Sequence, residues 1–305
     1  MGDVLAGNHA VWEFDSDSVL IRFARGIRTP RTPRLFHALG SRRIPLEAVS
    51  AVTVTAGKRD TVVLRAAPRV GADPLMEAAA GQLKESTDPY RLVLPGERAP
   101  HAAAFAEALR SRLGPDAAEP AARFLVDVPQ PPVQLKAHDA RVAFDGAAIT
   151  FHWSRTGATG TKWKAGDQRF PLAALAGVEW NSPVGPGGHL RLLLREPRQT
   201  PADPRPDHDL AAAVFGVGYG AVHESLPFAA AVLAAVRGRA QVAAQVTPQV
   251  GTQVGTQVAA GAAGSVPAAR TGSDRLRHLG ELHSAGLLTD AEYEALLDRF
   301  RAESR

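Results

Sequence analysis

Two stretches of the chain share the same alternation of apolar side chains. Apolar residues recur at every second position in residues 19–23 and again in residues 149–153. A period of two indicates a strand with one buried face. Asp15 and Asp145 precede the two stretches at the same distance, where an aspartate is typical of a tight turn because its carboxylate bonds nearby backbone N–H groups. Each stretch therefore predicts the second strand of a β-hairpin.

The similarity continues downstream, so the chain contains two diverged copies of one unit. Residues 43–52 and 169–178 place their apolar residues at identical spacing, each with a proline, Pro45 or Pro171, in the same position. Proline cannot donate to a strand ladder and favours an edge or a strand start. One turn of helix is expected after each proline. Further strands are predicted at residues 51–55, 61–65, 178–181 and 190–195.

Each copy is predicted to close with an amphipathic helix. Residues 100–113 and 227–239 carry an apolar stripe at helical spacing, and both begin with proline, which is favourable at a helix start. Before these helices, residues 73–84 predict a short helix and residues 90–94 a short strand. Residues 207–220 fit either a helix that frays at its glycines or a buried strand.

The order of several strands followed by one helix, seen twice, predicts an α+β fold that is mainly β. A sheet needs such a helix to cover its apolar face. Two tandem barrels of the pleckstrin-homology-like (PH-like) type, each ending in a capping helix, fit this order best. A plain β-sandwich and an open α+β sheet are the alternatives. A helical hairpin is predicted at the C-terminus.

Composition along the chain predicts the boundaries between these parts. Prolines cluster in residues 115–132, which indicates a connector, and a Gln-Val-Gly-Thr echo that begins at residue 249 indicates a flexible tether. The predicted organisation is a first module at residues 1–114, a connector at 115–134, a second module at 135–239, a linker at 240–272 and the hairpin at 273–305.

The C-terminal tail has the most specific pattern in the chain. Two short apolar-faced helices flank Gly286, and Thr289 with Glu292 forms a capping box at the second helix. Two short helices bury too little surface to be stable alone, so their apolar face is a candidate interaction surface. Its members are Leu276, Leu279, Leu282, Leu288, Tyr293, Leu296, Leu297 and Phe300.

The pattern of residues 273–300 resembles the SHOCT (short C-terminal domain) family. Together with the FD…I.F and R[IF]PL…V motifs of residues 7–239, the chain resembles an uncharacterised actinobacterial family of unknown function with tandem PH-like domains and a C-terminal SHOCT domain. The resemblance implies a protein partner or self-association through the tail. It implies no catalytic residues.

Charge adds one further candidate site. The net charge is +4, and arginines are scattered except for one cluster that begins at the end of the first hairpin. A guanidinium suits phosphate because its planar fork offers two donors. The cluster fits either a solvated basic loop or a site for anionic lipid or a phosphorylated ligand, and the scatter of the other arginines disfavours nucleic acid. The candidate anion-binding residues are Arg22, Arg25, Arg28, Arg31, Arg34, Arg42 and Arg43. The second copy has a thinner set of Arg155, Lys162, Trp163 and Lys164, with Trp153 nearby.

The sequence contains no recognisable catalytic motif. The chain has no cysteine, which excludes disulfides, thiolate zinc sites and cysteine nucleophiles. His208 and its neighbouring aspartates are interpreted as a solvated turn, not as a metal site. We therefore expect a non-catalytic binding or scaffold protein without cofactor or metal. It is expected to be cytoplasmic and without a transmembrane segment, with peripheral binding of anionic lipid through the basic loop as the alternative.

Overall fold

The computed structural model describes residues 3–23, 32–196 and 205–246. The described residues belong to one compact unit, Met1–Pro248. The predicted C-terminal hairpin and most of the predicted linker lie outside the described residues. The described strands form four antiparallel sheets, two in each copy.

The first copy has a four-stranded sheet, a three-stranded sheet and a helix that follows them. Its strands are β1 (Asp3–Ala6), β2 (Ala10–Phe14), β3 (Ser18–Phe23), β4 (Ser41–Pro45), β5 (Val49–Ala56), β6 (Thr61–Pro68) and β7 (Arg91–Pro95). Its helices are α1 (Arg34–Leu39), α2 (Pro74–Ala79) and α3 (Ala99–Arg110).

The second copy repeats this order. Its strands are β8 (Val133–Lys136), β9 (Ala140–Phe144), β10 (Ala148–Trp153), β11 (Gln168–Pro171), β12 (Leu175–Asn181), β13 (His189–Leu194) and β14 (Ala212–Val214). Its helices are α4 (Gly160–Ala165) and α5 (Val222–Val246). The turn of helix expected after each proline is present at Leu46–Ala48 and Leu172–Ala174.

The prediction of a mainly β chain with both hairpins is confirmed, but the described strands close no barrel. In each copy the first four strands and the last three form separate sheets. The reason lies at the end of the fourth strand, where Pro45 or Pro171 cannot donate a backbone hydrogen bond. The chain then turns through one helical turn and enters the other sheet.

The two copies share the same pattern of strand pairing in their second sheets. In both, the register shifts at the start of the second sheet, between Val49 and Ala51 and between Leu175 and Gly177. The pairing that follows makes Arg65 and Arg191 equivalent positions on the central strand.

The second closing helix differs from the prediction at both ends. It begins at Val222, so Pro227 lies inside it rather than at its start, and it continues to Val246. The predicted end at residue 239 and the predicted start of the linker at residue 240 therefore fall within α5. A proline inside a helix removes one backbone hydrogen bond. Pro227 and its neighbours are buried in the core, so apolar packing surrounds the place where that hydrogen bond is missing.

Other departures concern short elements. Strands β1 and β8 and helices α1 and α4 were not predicted, because each is too short to show periodicity. Residues 207–220 contain the buried strand β14 rather than a helix.

The two copies pack together through α2 of the first and α5 and β12 of the second. Leu75, Ala78 and Ala79 of α2 belong to the hydrophobic core of the second copy. The Gln82 side chain donates to the Trp180 carbonyl at 2.8 Å and accepts from the Ser182 amide at 2.8 Å. Gln82 of the first copy thus forms hydrogen bonds with backbone groups at and just after the end of β12.

Candidate anion-binding site

The predicted basic cluster of the first copy is only partly within the described residues. Arg25, Arg28 and Arg31 lie outside them. Arg22 and Arg34 are exposed, and Arg22 donates to Glu13.

The exposed Arg43 donates to Asp15 at 3.1 Å. The equivalent pair in the second copy is Arg169 and Asp145, at 3.2 Å. Two Asp145 bonds from backbone amides, of Ala148 and Ala147, lower the pKa of this carboxyl, and Arg169 adds to the effect. Arg43 is therefore part of a repeated turn contact.

Arg42 does not lie with the others on the surface. Strand alternation turns Arg42 and Ile44 inward and Arg43 outward. The Arg42 guanidinium donates to the buried Asp73 carboxylate at 2.8 Å, and the Tyr90 hydroxyl donates to the same carboxylate at 2.6 Å. Burial alone would lower the pKa of Arg42, but Asp73 and Tyr90 outweigh it and raise the pKa. Arg42 is thus a buried residue of the core and not part of an exposed basic surface.

Lys162 in the second copy is also buried rather than exposed. Its ammonium donates to Asp139 at 2.7 Å. Burial lowers the pKa of Lys162, and the Asp139 charge opposes that shift. Trp163 and Lys164 are exposed on the same short helix, and Trp153 is buried beneath it.

A cavity of about 610 Å³ opens on the second copy where the ends of β8, β9 and β10 meet the turn after β14. Basic and imidazole side chains are prominent in its lining. The lining residues that matter here are Lys136, His138, Arg141, His152, Trp153 and Tyr219.

Each of these side chains has a clear structural origin. Lys136 ends β8 and Arg141 lies opposite it on β9, and His152 on β10 is the next neighbour of Arg141 across the ladder. His138 lies in the tight turn between β8 and β9. Gly157, in the loop between β10 and α4, lets that loop approach this turn closely. A Cβ at residue 157 would lie 2.1 Å from the His138 carbonyl oxygen.

Tyr219 forms the aromatic side of the cavity. The Lys136 ammonium lies 5.1 Å from the centre of the Tyr219 ring, and the His138 ring meets the same ring edge-on at 5.9 Å. These contacts hold a cation against an aromatic face, as cation–π attraction favours.

The cavity carries an excess of positive charge. Lys136 and Arg141 contribute one ammonium and one guanidinium, and the two imidazoles add ring nitrogens that can form hydrogen bonds. Outside the lining, the Asp167 carboxylate lies 2.7 Å from Nδ1 of His152. The geometry suits a compact anion with several acceptor oxygens.

The first copy lacks the basic or imidazole side chain at three of the four equivalent positions. Ala6 pairs with Val11 as Lys136 pairs with Arg141. Asn8 bonds the Val93 carbonyl as His138 bonds the Val214 carbonyl. Arg22 stands where the second copy has His152, since both lie opposite the Val11 or Arg141 position. The basic cavity is therefore a property of the second copy.

Sequence reasoning missed Lys136, His138 and Arg141. A signal was present, because aligning the two copies shows basic residues in the second where the first has Ala6, Asn8 and Val11. The tail residues Leu276 to Phe300 lie outside the described part of the chain. Within the described ranges, no group of three or more histidines, aspartates and glutamates could hold a metal ion.

Comparison with known families gives a match in each copy. The family model described as Domain of unknown function (DUF4429) matches residues 12–110 and 142–233, one segment in each copy. The two matches confirm that the chain carries a repeated domain. No curated protein matches the chain.

Proposed function

Since the chain belongs to the DUF4429 family, whose description assigns no activity, we propose its function from the site itself: a non-catalytic binding and scaffold protein that recognises an anionic ligand, or an acidic segment of a protein partner. The observation that carries this proposal is the cavity of the second copy, where Lys136, His138, Arg141 and His152 converge. In this proposal the two copies are tandem PH-like modules.

The divergence between the copies supports a binding role. A solvated surface has no reason to gather cations at one opening, because like charges repel. Here the second copy has the cations Lys136 and Arg141 at positions where the first has Ala6 and Val11. The first copy then serves as a support, because its α2 helix is part of the second copy's core.

A titration of the full chain with pyrophosphate tests the site. Lys136→Ala/Arg141→Ala should weaken binding about tenfold or more, since a hydrogen bond to a charged group contributes about 1.5–3 kcal/mol. The matched control Arg155→Ala/Lys164→Ala removes the same charge outside the cavity lining. Affinity that falls equally in both variants, or no binding by the wild type, would count against the proposed ligand.

Peripheral membrane association is the second candidate. Val217 is fully exposed in the turn that also carries Tyr219, beside the cavity. An exposed apolar tip next to basic groups suits an anionic lipid surface. Among the helices that the structure describes, none is long and apolar enough to cross a membrane.

Co-sedimentation with phosphatidylcholine vesicles, with and without phosphatidylserine, tests this candidate. Val217→Ser should weaken binding to the phosphatidylserine vesicles. Replacing Arg25, Arg28, Arg31 and Arg34 by alanine tests the basic loop of the first copy. Absence of salt-sensitive binding by the wild type would reject membrane association.

The SHOCT-like tail would add oligomerisation or docking. A flexible tether would raise the tail's local concentration at a nearby partner. Light scattering should compare the full chain with a chain that ends at Val246, since ending it at residue 239 would cut through α5. Equal masses, together with equal recovery of partners in pull-downs, would remove this role from the tail.

A further inference from the structure

Lys162 is the most deeply buried cation close to the cavity. Its side chain is 0% exposed, although it comes from the short helix α4 on the surface. The ammonium donates to Asp139 and to the carbonyls of Pro206 and Ala212, each at 2.7 Å. An ammonium has three donors, so all of them are used.

The partners of Lys162 belong to the segments that surround the cavity. Asp139 lies between His138 and Ala140, which both line it. The second Asp139 oxygen accepts from the Val214 amide at 2.8 Å, at the end of β14. The chain then leads to Tyr219, and the next amide, of Gly220, bonds the Lys136 carbonyl at 2.9 Å.

Lys162 also lies against an aromatic wall of the cavity. Its ammonium is 4.8 Å from the centre of the Trp153 ring, and Trp153 lines the cavity. One buried cation thus joins α4, the turn between β8 and β9, and the chain that leads from β14 to Tyr219.

The fold does not require this ion pair. Phe36 of the first copy occupies the place of Lys162, before the glycine that ends each short helix. Phe36 stacks on Phe23 at 4.7 Å, where Lys162 lies over Trp153. His9 stands at the position of Asp139. The first copy therefore builds the same corner without a buried lysine–aspartate pair.

Burying two charges is costly, and an apolar pair of similar volume is often as stable or more so. The first copy has its own buried pair, Arg42 and Asp73, but at a different place in the fold. At this corner the pair occurs only in the copy that has the basic cavity, and it contacts the segments that line it, which points to a role in that cavity. We infer that Lys162 and Asp139 are positioning residues of the anion site, which hold His138 and Tyr219 in place without touching the ligand. This inference rests on the proposed function.

Two variants separate positioning from stability. Lys162→Met leaves the Asp139 charge buried and alone, and should lower both stability and pyrophosphate affinity. Lys162→Met/Asp139→Leu removes both charges and should recover part of the lost thermal stability, because the Pro206 and Ala212 carbonyls and the Val214 amide still lose their partners. Its affinity should stay reduced by about tenfold, the lower end of what loss of a supporting partner costs at metal sites. Lys164→Met, an exposed neighbour on the same helix, is the control.

A purely structural role predicts that affinity returns with stability in the double variant, and that result would overturn the inference. The NMR signals of the His138 ring should also shift in the double variant. They should stay unchanged in Lys164→Met.

If the wild type binds no pyrophosphate, the proposed ligand fails, and hydrogen exchange still decides the positioning role. The amides of Tyr219 and Gly220 have no direct bond to Lys162 or Asp139. Faster exchange of these amides in the double variant, beyond what its change in global stability accounts for, supports the inference. Exchange as slow as in the wild type contradicts it.

Discussion

The carboxylate of Glu77 faces the guanidinium of Arg237 across the boundary between the two copies, and both terminal nitrogens of the arginine donate to it. Such a planar two-point contact fixes orientation as well as distance. The same guanidinium lies 4.2 Å from the centre of the Phe124 ring in the connector. Arg237 thus joins α2 of the first copy, α5 of the second and the connector between them.

Removing this contact should loosen the association of the copies. Arg237→Ala should lower the free energy of unfolding by about 1–2 kcal/mol, a range reduced for partial exposure to water. Urea denaturation measures the change, with the exposed Arg239→Ala on the same helix as the control. Equal losses in the two variants would show that the Glu77 contact contributes nothing.

Replacing Asp73 should lower the free energy of unfolding far more than replacing Arg237. Its carboxylate receives Arg42 and Tyr90, and also caps α2 by accepting from the Leu75 amide at 2.9 Å. Asp73→Ala leaves the Arg42 cation buried without its partner and should cost about 3–5 kcal/mol. Thermal or urea unfolding checks this against the exposed Asp167→Ala. A loss as small as that of the control would contradict the assigned role.

The buried Tyr90 should make the stability of the protein fall at alkaline pH. Burial raises the pKa of the Tyr90 phenol well above its ordinary value, and the Asp73 charge adds to the shift. The unfolded chain releases this proton near pH 10, whereas the folded chain keeps it. The stabilisation is therefore complete below about pH 10 and is lost as the pH rises towards the folded pKa.

The test compares the wild type with Tyr90→Phe. The advantage of the wild type in unfolding free energy should shrink between about pH 10 and 11, because the variant has no phenol proton to lose. Tyr219→Phe, in the other copy, is the control. A wild-type advantage that stays constant over this range would be inconsistent with the buried phenol.

The repeat predicts that Asp88 and Asp209 contribute equally. Each accepts a backbone amide two residues on, at 2.9 and 2.8 Å, and each receives an arginine Nε, from Arg65 at 3.2 Å and from Arg191 at 2.9 Å. Alanine at either position should cost about 1–3 kcal/mol. Chemical denaturation of both variants, with exposed Asp127→Ala as control, checks this. A large effect at one site and none at the other would show that the contacts are not equivalent.

The hairpins and the repeat could be predicted because their signals are local. Alternating residues such as Val19, Ile21 and Phe23 show one buried face of a strand without knowledge of its neighbours. The missing donor of Pro45 and Pro171 likewise predicted an edge or a strand start, and both prolines lie on an edge strand, at its end rather than its start. These features depend on backbone geometry within a few residues.

The cavity could not be predicted in the same way, although its residues stand in the sequence. Lys136, His138 and Tyr219 meet only because β14 returns the chain beside the turn after β8. Sequence reasoning instead favoured runs of neighbouring arginines, and it placed Arg42 among them. Burial depends on which face of β4 meets the core, and a charged residue on that face is rare enough to mislead.

The amino-acid sequence by itself determined the two copies, their hairpins and their closing helices, because backbone propensity and residue alternation act over short distances. Only the tertiary structure decided that α2 of the first copy completes the core of the second, and that α5 runs through Pro227 to Val246. It also decided which cations are exposed and which are buried. These outcomes depend on apolar surfaces and charges far apart in the chain, whose burial is settled only when the whole unit folds.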